Sequence, residues 1–257
     1  MTKALSPYII TGSLKTSFIG QKVFYYHKLT STMDKAREVA RHGASEGTVI
    51  IAGEQTAGKG RLKRAWLSPP GNIALSIVLY PDITSLPYLI MIASLAVVKA
   101  VEEVAGVKTQ IKWPNDILIN GKKVGGILIE NEVKGDKVVY SIIGIGININ
   151  LEVDAYPEIS ATATSLKSKD KNFRINIIQT LLIEFERFYL KLTDGRAIYE
   201  TWREQLVTLG KKVRATTGRK VIEGIAEAVD ESGALFIRQS NGTLERVIAG
   251  DVTLREQ

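Results

Sequence analysis

Residues 53–66 form a short segment that is rich in glycine and strongly basic, and they carry the clearest chemical signal in the sequence. The segment reads Gly-Glu-Gln-Thr-Ala-Gly-Lys-Gly-Arg-Leu-Lys-Arg-Ala-Trp, with Glu54 as its one acidic residue. Glycine lets backbone N–H groups approach an anion closely, and the cations supply positive charge. The segment therefore predicts a loop that binds phosphate or carboxylate, and the alternative is a basic loop that faces solvent.

A nucleotide-binding pattern overlaps this loop without being completed. Residues 53–59 satisfy G-x-x-x-x-G-K, but Gly60 stands where a P-loop has a serine or threonine that binds magnesium. A P-loop also opens directly into a helix, whereas residues 67–71, Leu-Ser-Pro-Pro-Gly, interrupt any helix here. The loop is therefore expected to bind phosphate by a different architecture.

Four other clusters place polar residues or glycines inside otherwise apolar patterns. Each also has a purely structural explanation, such as a helix cap, a turn or a solvated lysine beside a hairpin. The clusters are Ser31-Thr32, Lys112-Trp113-Pro114-Asn115-Asp116, Lys122-Lys123-Val124-Gly125-Gly126-Ile127 and Gly144-Ile145-Gly146-Ile147-Asn148-Ile149-Asn150.

Three of these clusters contain residues that a structural explanation covers poorly. Lys112 and Trp113 end an apolar strand, and we expect the tryptophan to give a site a flat wall. Paired glycines inside a strand, as at Gly125 and Gly126, mark a bulge or a close approach by a ligand. Asn148 lies in an apolar run, where burying its amide without a hydrogen bond costs roughly 1–3 kcal/mol.

Composition limits the chemistry that is open to these 257 residues. The chain has no cysteine, which excludes disulfides, thiolate metal sites and cysteine nucleophiles, and it has only two histidines. Its formal net charge of +7 favours anionic partners such as nucleotides, nucleic acid or an acidic protein. No signal peptide is evident, and residues 86–105 predict a buried helix rather than a membrane span. We therefore expect a cytoplasmic protein.

The hydrophobic pattern alternates strands and helices at first and becomes all-β after Gly210. Ser31 and Asp34 form a capping-box pattern at the first helix, and Asn120-Gly121 is typical of a type I′ hairpin turn. Two domains are predicted, residues 1–209 and residues 210–257, the second a small β-barrel. Strands are predicted at 23–29, 48–52, 72–80, 111–113, 117–119, 122–133, 137–150, 213–215, 221–229, 234–238 and 244–249, and helices at 31–43, 88–105, 176–192 and 197–206.

Taken together, the clusters offer cations, glycine backbone and polar side chains but none of the standard nucleophiles. Such a set suits a reaction in which the substrate brings its own nucleophile and the protein stabilises charge on a phosphoryl group. Attack of a carboxylate on the α-phosphate of ATP is one such reaction.

The order of these motifs resembles the biotin–protein ligase family. The match runs from about residue 24 to residue 166 and includes all five clusters. The resemblance implies an α+β fold, with a catalytic domain like that of class II aminoacyl-tRNA synthetases (a mixed sheet with flanking helices) and a small C-terminal SH3-like β-barrel. It also implies that biotin and ATP form biotinyl-5′-AMP, from which biotin passes to a lysine of a biotin carboxyl carrier protein.

The resemblance further implies a role for each motif residue. The catalytic residues would be Arg61, Lys112, Asp116 and Lys123, with Asp116 acting in the transfer to lysine. The biotin-binding residues would be Ser31, Thr32, Met33, Gln55, Lys59, Gly60, Arg61, Lys123 and Gly126. The ATP-binding residues would be Arg61, Arg64, Trp66, Lys112, Asn115 and Asn148. Residues 56–67 would form a flexible lid. ATP and Mg²⁺ would enter as co-substrate and ion and biotin as substrate, with no residue assigned to a metal and no prosthetic group.

Two features set this chain apart from parts of the family. Lys59 stands where arginine is common, and lysine keeps the charge but loses the bidentate fork. Roughly twenty residues precede the first strand, too few for the winged-helix repressor domain of some members. A monofunctional ligase without operator DNA binding is therefore expected. By resemblance its partner would be the carrier domain of acetyl-CoA carboxylase or a related carboxylase, and it would form a homodimer without a membrane.

Two other functions stay open at this point. A lipoate or octanoate ligase shares the fold and the adenylation chemistry, although its motifs differ from the Gly-Lys-Gly-Arg and Lys-Trp-Pro-Asn-Asp found here. A nucleic-acid-binding module would need exposed aromatic residues among its cations, and the C-terminal region offers Phe236 alone.

Overall fold

The computed structural model describes residues 5–218, 220–248 and 250–254, which form two β-sheets with helices on both faces of the larger one. The helices are α1 (Pro7–Thr11), α2 (Thr32–Arg41), α3 (Leu86–Ala105), α4 (Pro157–Ser160), α5 (Phe173–Tyr189) and α6 (Gly195–Glu204). The strands are β1 (Val23–Tyr26), β2 (Val49–Ala52), β3 (Ile73–Leu79), β4 (Gln110–Lys112), β5 (Asp116–Ile119), β6 (Lys122–Lys134), β7 (Lys137–Ile147), β8 (Lys212–Thr217), β9 (Lys220–Val229), β10 (Leu235–Arg238), β11 (Leu244–Val247) and β12 (Asp251–Leu254). The predicted α+β organisation, a mixed sheet with flanking helices followed by an all-β region, is confirmed.

The larger sheet has seven strands in the order β1-β2-β3-β7-β6-β5-β4. Strands β1 and β2 run parallel, and the other neighbouring pairs are antiparallel. The hairpin turn between β5 and β6 has positive φ at both residues, 49° at Asn120 and 76° at Gly121, as a type I′ turn requires. In this strand order the antiparallel β6–β7 hairpin lies at the centre of the sheet.

Alternation along the strands gives this sheet two apolar faces. On one face Leu75 and Ile77 of β3 belong to the large core that contains the buried side chains of α3 and α5. On the opposite face Ile50, Val78 and Ile142 pack with the apolar side of α2. A single ten-residue helix covers only part of that second face, which leaves the rest for a cavity.

Helix α3 is the apolar helix expected from the sequence. The segment Ile83–Ala105 is long and apolar enough to cross a membrane by length and composition alone. Most of its residues between 89 and 101 are buried, and the helix packs against α5, α6 and the sheet. It ends at Gly106, whose φ of 66° forms a left-handed cap. In this fold α3 is a core helix.

The smaller sheet has five antiparallel strands in the order β11-β10-β9-β8-β12. Its inward-facing residues, such as Val213 and Leu235, belong to the same apolar core as the larger sheet. The two sheets therefore share one continuous core.

Trp113 connects the two sheets, and the expectation that it walls a site is wrong. Its side chain is 1% exposed, and its Nε1–H donates to the carbonyl of Gly233 at 2.8 Å. Its backbone N–H donates to Oγ1 of Thr208 at 2.9 Å. Because alternation at the end of β4 turns the indole into the core and Gly233 satisfies its N–H, the ring packs between the sheets.

Most predicted elements are present with ends shifted by a few residues. Strand β7 ends at Ile147 rather than Asn150, because the N–H of Asn148 donates to Val124 and its carbonyl accepts from Leu166. Helices α1 and α4 and strand β12 were not predicted, since the two helices have five and four residues and β12 pairs with the distant β8. Three predicted ends lie outside the described residues: the end of a strand at Ala249 and the outer ends of the two domains at Met1 and Gln257. The boundary between the domains at 209–210 stays a prediction.

Glu186 of α5 is a buried carboxylate that holds the chain leading into β1. It is 6% exposed and accepts hydrogen bonds from the backbone N–H groups of Ser17 at 2.6 Å, Phe18 at 2.9 Å and Ile19 at 2.9 Å. Three donors satisfy a charge that would otherwise be costly to bury. The segment before β1 is therefore attached to α5.

We expect Glu186→Ala to lower the free energy of unfolding by about 2–4 kcal/mol, because three backbone donors lose their acceptor. Urea unfolding followed by circular dichroism measures this loss. Glu200→Ala is the control, since Glu200 pairs with Arg196 on the exposed side of α6 and its removal should change stability by less than about 0.5 kcal/mol. Equal losses in both variants would contradict the role of Glu186.

Candidate active site

A cavity opens on the α2 face of the larger sheet, beside the N-terminus of α2, and its floor is made of glycines. Gly126 of β6 is the direct cross-strand partner of Gly146 of β7. A Cβ atom at Gly144 would lie 2.4 Å from Sδ of Met33, and one at Gly146 would lie 2.4 Å from Cε2 of Trp66. Only glycine at these positions lets other groups lie directly on the sheet.

The basic loop forms a tight hairpin over this floor. The backbone N–H of Trp66 donates to the carbonyl of Gly58 at 2.9 Å, and the N–H of Gly60 donates to the carbonyl of Arg64 at 2.8 Å. A Cβ atom at Gly58 would lie 2.4 Å from the carbonyl oxygen of Trp66. The tip of the hairpin is the 3₁₀ turn Arg61–Lys63. The loop is therefore a hairpin that brings Lys59, Arg61 and Arg64 to the cavity.

The first turn of α2 holds the start of this loop. Ser31 caps the helix, since its Oγ accepts from the N–H of Met33 at 3.2 Å. The N–H of Thr32 donates to Oε1 of Gln55 at 2.8 Å, and its hydroxyl lies 3.1 Å from the same oxygen. Because the amide oxygen of Gln55 accepts from Thr32, its amide Nε2 is left as a donor beside the cavity.

Three of the four cations that line the cavity are paired with carboxylates from three different elements. The acids come from α2, β5 and β12, and those of α2 and β12 pair with cations of the loop, whereas that of β5 pairs with a lysine of β6. The pairs are Lys59 with Asp34, Arg64 with Asp251 at 2.6 Å and Lys123 with Asp116 at 2.5 Å. Burial acts to raise the pKa of Asp251, but the hydrogen bond and charge of Arg64 outweigh it, and the pKa lies below its ordinary value.

Arg61 is the fourth cation, and within the described part of the chain no carboxylate forms an ion pair with it. Its guanidinium donates to Oδ1 of Asn115 at 3.1 Å. Burial lowers the pKa of Arg61, and the charges of Asp116 and Asp251 oppose this shift. A guanidinium remains charged in proteins. The cavity therefore holds one half-buried positive charge more than its carboxylates neutralise, which suits an anionic ligand.

The turn before β5 sets the positions of Asn115 and Asp116. Asn115 is held twice by Ile127, since its Nδ2 donates to the Ile127 carbonyl at 2.7 Å and its carbonyl accepts from the Ile127 N–H at 3.0 Å. Its Oδ1 is thereby directed at Arg61. Asp116 lies at the cavity edge, where its carboxylate meets the ammonium of Lys123.

Trp66 packs on the glycine floor. The ammonium of Lys123 lies 5.4 Å from the centre of the indole ring, within the range of a cation–π contact. The buried Nε1–H of Trp66 has no hydrogen-bond partner among the described residues. A buried donor without a partner costs about 1–3 kcal/mol, so an acceptor on a bound ligand would be stabilised there.

Most of the residues predicted from the resemblance line this single cavity. They are Thr32, Met33, Gln55, Lys59, Gly60, Arg61, Arg64, Trp66, Asn115, Asp116, Lys123 and Gly126. Three others do not line it. Ser31 caps α2, Lys112 lies in β4 opposite Asp116, and Asn148 is buried with its Nδ2 donating to the carbonyl of Thr164 at 3.0 Å. The roles of all these residues toward ligands stay predictions.

The cavity also involves residues that sequence reasoning did not assign to it. Gly144 and Gly146 had a recognisable pattern, because two glycines alternate with apolar residues along one strand. Asp251 had none, since its partner Arg64 lies 187 residues away in the chain. Asp34 was expected to complete the capping box, but its carboxylate pairs instead with Lys59 and Arg37.

The described residues contain no group of three or more His, Cys, Asp or Glu that could hold a metal ion. The carboxylates at the cavity each face a cation instead. Cations, amide groups and glycine backbone line the site beside these carboxylates.

Two family models match the chain, one on each sheet. The model of the Biotin/lipoate A/B protein ligase family matches residues 23–148, and that of the Biotin protein ligase C terminal domain matches residues 208–255. The first match includes the basic loop and the strands of the cavity. The second includes all five strands of the smaller sheet.

Individual relatives and solved structures agree with these matches. The chain is 40% identical to the bifunctional ligase/repressor BirA of Bacillus subtilis, over 97% of this chain and 79% of that protein. It is 35% identical to the biotin–[acetyl-CoA-carboxylase] ligase of Paracoccus denitrificans, over 78% of this chain and 88% of that protein. The structure of the biotin protein ligase from Aquifex aeolicus in complex with biotin and ATP has a TM-score of 0.73 and 28% identity, covering 92% of this chain and 100% of that one. The ligase from Leishmania major in complex with biotinyl-5-AMP has a TM-score of 0.58 and 30% identity, covering 89% and 99%. This chain belongs to the biotin protein ligase family.

Proposed function

We propose that this protein activates biotin with ATP to biotinyl-5′-AMP and transfers the biotinyl group to one lysine of a biotin carboxyl carrier protein. The observation that carries the proposal is Arg61, a half-buried cation that forms no ion pair with any described carboxylate. Both substrates bring anionic groups, the carboxylate of biotin and the phosphates of ATP. A cavity with one unneutralised positive charge and two further cations, Arg64 and Lys123, whose carboxylate partners an anion can replace suits this pair of substrates.

The glycine floor and the first turn of α2 suit the ring system of biotin. Gly126 and Gly146 carry no side chain, so a ring can lie directly on the backbone there, as the Trp66 indole does. Oε1 of Gln55 is already held by Thr32, which leaves its Nε2 to donate to a carbonyl oxygen such as that of the ureido group. These contacts would orient the valeryl carboxylate toward the basic loop.

In the first step the biotin carboxylate attacks the α-phosphate of ATP. A new O–P bond forms while the bond from the α-phosphorus to the bridging oxygen breaks, and pyrophosphate leaves. The two anions repel each other, and Arg61 and Lys123 offset this repulsion and stabilise the charge that develops on the phosphate. Lys123 contributes once its ammonium has left the carboxylate of Asp116 and has bound the ligand.

In the second step the amine of the carrier lysine attacks the acyl carbon of biotinyl-5′-AMP. The acceptor amine has an ordinary pKa near 10.4 and arrives protonated, so it must lose a proton before it attacks. Once Lys123 has turned to the phosphate, the carboxylate of Asp116 is free to bind the incoming ammonium and accept its proton. An amide bond forms, and the acyl–oxygen bond breaks to release AMP.

We propose that Mg²⁺ enters as a complex with ATP, bound to the phosphates. The described residues do not form a metal site of their own, since each carboxylate at the cavity pairs with a cation. When bound, the ion neutralises phosphate charge and assists the departure of pyrophosphate. Arg61, Arg64 and Lys123 supply the protein's share of positive charge.

The finer expectations from the resemblance are also proposals. We assign the larger sheet to the class II aminoacyl-tRNA synthetase type and the smaller sheet to the SH3 type, which its five antiparallel strands support. A homodimer and a cytoplasmic location are proposed on the resemblance, and the molar mass in solution and cell fractionation would test them. In the described residues ahead of β1 the only helix is Pro7–Thr11.

Exchange of radiolabelled pyrophosphate into ATP tests the first step directly. We expect exchange that depends on biotin, and little with lipoate or octanoate, because adenylation is reversible and the Gln55 amide offers a donor for the ureido carbonyl that the other two acids lack. Exchange with lipoate or octanoate in place of biotin would overturn the substrate and leave the mechanism. Absence of exchange with all three acids would overturn the proposed function.

Arg61→Ala should lower kcat/KM for pyrophosphate exchange by about 10²–10³-fold, because the one cation without a carboxylate partner is lost from the reacting centre. Lys63→Ala is the matched control, since Lys63 lies exposed in the same loop and does not line the cavity. The control should stay within about twofold of the native rate. Similar losses in both variants would indicate that the loop acts only through its overall charge.

Asp116→Asn should separate the two half-reactions. We expect pyrophosphate exchange to persist, while the transfer of biotin from preformed biotinyl-5′-AMP to a carrier domain falls by about 10²–10⁴-fold, because the amine loses its proton acceptor. Transfer is measured by mass spectrometry of the carrier domain. Equal losses in exchange and transfer would mean that Asp116 serves mainly to position Lys123.

A further inference from the structure

We infer that Asp34 is a positioning residue that fixes the glycine loop through Lys59, and that Lys59 acts through this ion pair rather than by touching a ligand. This inference rests on the proposed function and concerns the biotin end of the cavity. Asp34 has no part in the two steps described above, and Lys59 was assigned to biotin only on the resemblance.

Asp34 is held firmly at the N-terminus of α2. It lies three residues after the capping Ser31, where the amide dipoles of the helix favour a negative charge. Its Oδ1 accepts from the guanidinium of Arg37 at 2.7 Å as well as from the ammonium of Lys59. Arg37 in turn pairs with Glu130 of β6. A chain of alternating charges therefore ties Lys59 to the central hairpin of the sheet.

The same helical turn holds the loop at two points. Thr32 binds Gln55 through its N–H and hydroxyl, and Asp34 binds Lys59. Residues 55–59 are therefore attached to α2 at both ends. Without the Lys59 pair this stretch would keep the backbone hydrogen bonds of Thr56 to Leu29 and of Ala57 to Thr30, but its attachment to α2 at Lys59 would be lost.

The charge of Lys59 is already used. Its ammonium is paired with Asp34, in contrast to the guanidinium of Arg61, which meets only the amide oxygen of Asn115. Burial acts to raise the pKa of Asp34, but hydrogen bonds from Lys59 and Arg37 outweigh it and keep the pKa below its ordinary value. The carboxylate is therefore ionised at neutral pH and carries the charge that pairs with the ammonium.

The side chains of both residues are partly exposed, 38% for Lys59 and 39% for Asp34. Exposed ion pairs contribute little to global stability, because solvent screens them and ordering the side chains costs entropy. The pair should therefore affect the position of the loop and the binding of biotin while the stability of the fold stays almost unchanged. This separation of effects makes the inference testable.

The test is a double-mutant cycle with Asp34→Asn, Lys59→Gln and the double variant, each assayed by biotin-dependent pyrophosphate exchange. We expect each single variant to raise the KM for biotin by about 5–10-fold, with kcat within about twofold, because misplacement of the loop weakens binding. The double variant should be no worse than either single one, since both remove the same interaction. Release of biotinyl-5′-AMP, followed by stopped flow, should accelerate by a similar factor.

Two further variants control this cycle. Lys59→Arg retains a cation that can pair with Asp34, so its KM for biotin should equal that of the native protein. Glu38→Gln removes an exposed carboxylate from the same helix, one that pairs with Lys35 away from the loop, and should leave the KM unchanged. Thermal unfolding of every variant checks that the fold is retained.

Other outcomes would overturn the inference. A large effect of Lys59→Gln beside a native Asp34→Asn, or additive effects in the double variant, would show that Lys59 contacts the ligand directly. Native KM values in all variants, with normal exchange by the unaltered protein, would overturn the inference and leave the proposed function intact. Failure of the unaltered protein to exchange pyrophosphate with any acid would instead overturn the proposed function.

Discussion

Four cations share one half-buried cavity, and the arrangement of the surrounding elements depends on how their charges are balanced. Like charges in a poorly solvated place repel strongly, because the effective dielectric constant is lower than in water. The balance comes from three carboxylates, one each on α2, β5 and β12. Two of these ion pairs, Lys59 with Asp34 and Arg64 with Asp251, also join the basic loop to α2 and β12. Arg61, left without such a partner in the described chain, is where the charge of a substrate is most strongly favoured.

The absence of side chains on the cavity floor is the second constraint. Gly126 and Gly146 face each other across β6 and β7, so the sheet backbone itself forms a surface. Trp66 rests there because no Cβ atom is in its way. Glycine weakens a strand, but these strands lie at the centre of a seven-stranded sheet and receive support from both sides. The sheet can therefore do without side chains at these two positions near its centre.

The smaller sheet is part of the site as well as of the core. Asp251 of β12 lines the cavity and holds Arg64, while Gly233 accepts the hydrogen bond of the buried Trp113. A unit of about fifty residues is close to the size at which a separate core becomes marginal. Sharing the core of the larger sheet stabilises the smaller one and at the same time places its acid beside the basic loop.

The sequence by itself predicted most of the elements in their order, the hairpin turn at Asn120-Gly121 and the basic, glycine-rich loop after β2, because each depends on residues close together in the chain. Tertiary structure alone decided the partners of the cations. Alternation along β4 turned Trp113 into the core, and β12 brought Asp251 to Arg64 across 187 residues. Asp34 carried a capping pattern that its nearest neighbours explained, yet its carboxylate binds Lys59 of a distant loop. Local patterns report backbone conformation, whereas the choice of an ionic partner depends on which charges the packed sheets bring within a few ångströms of one another.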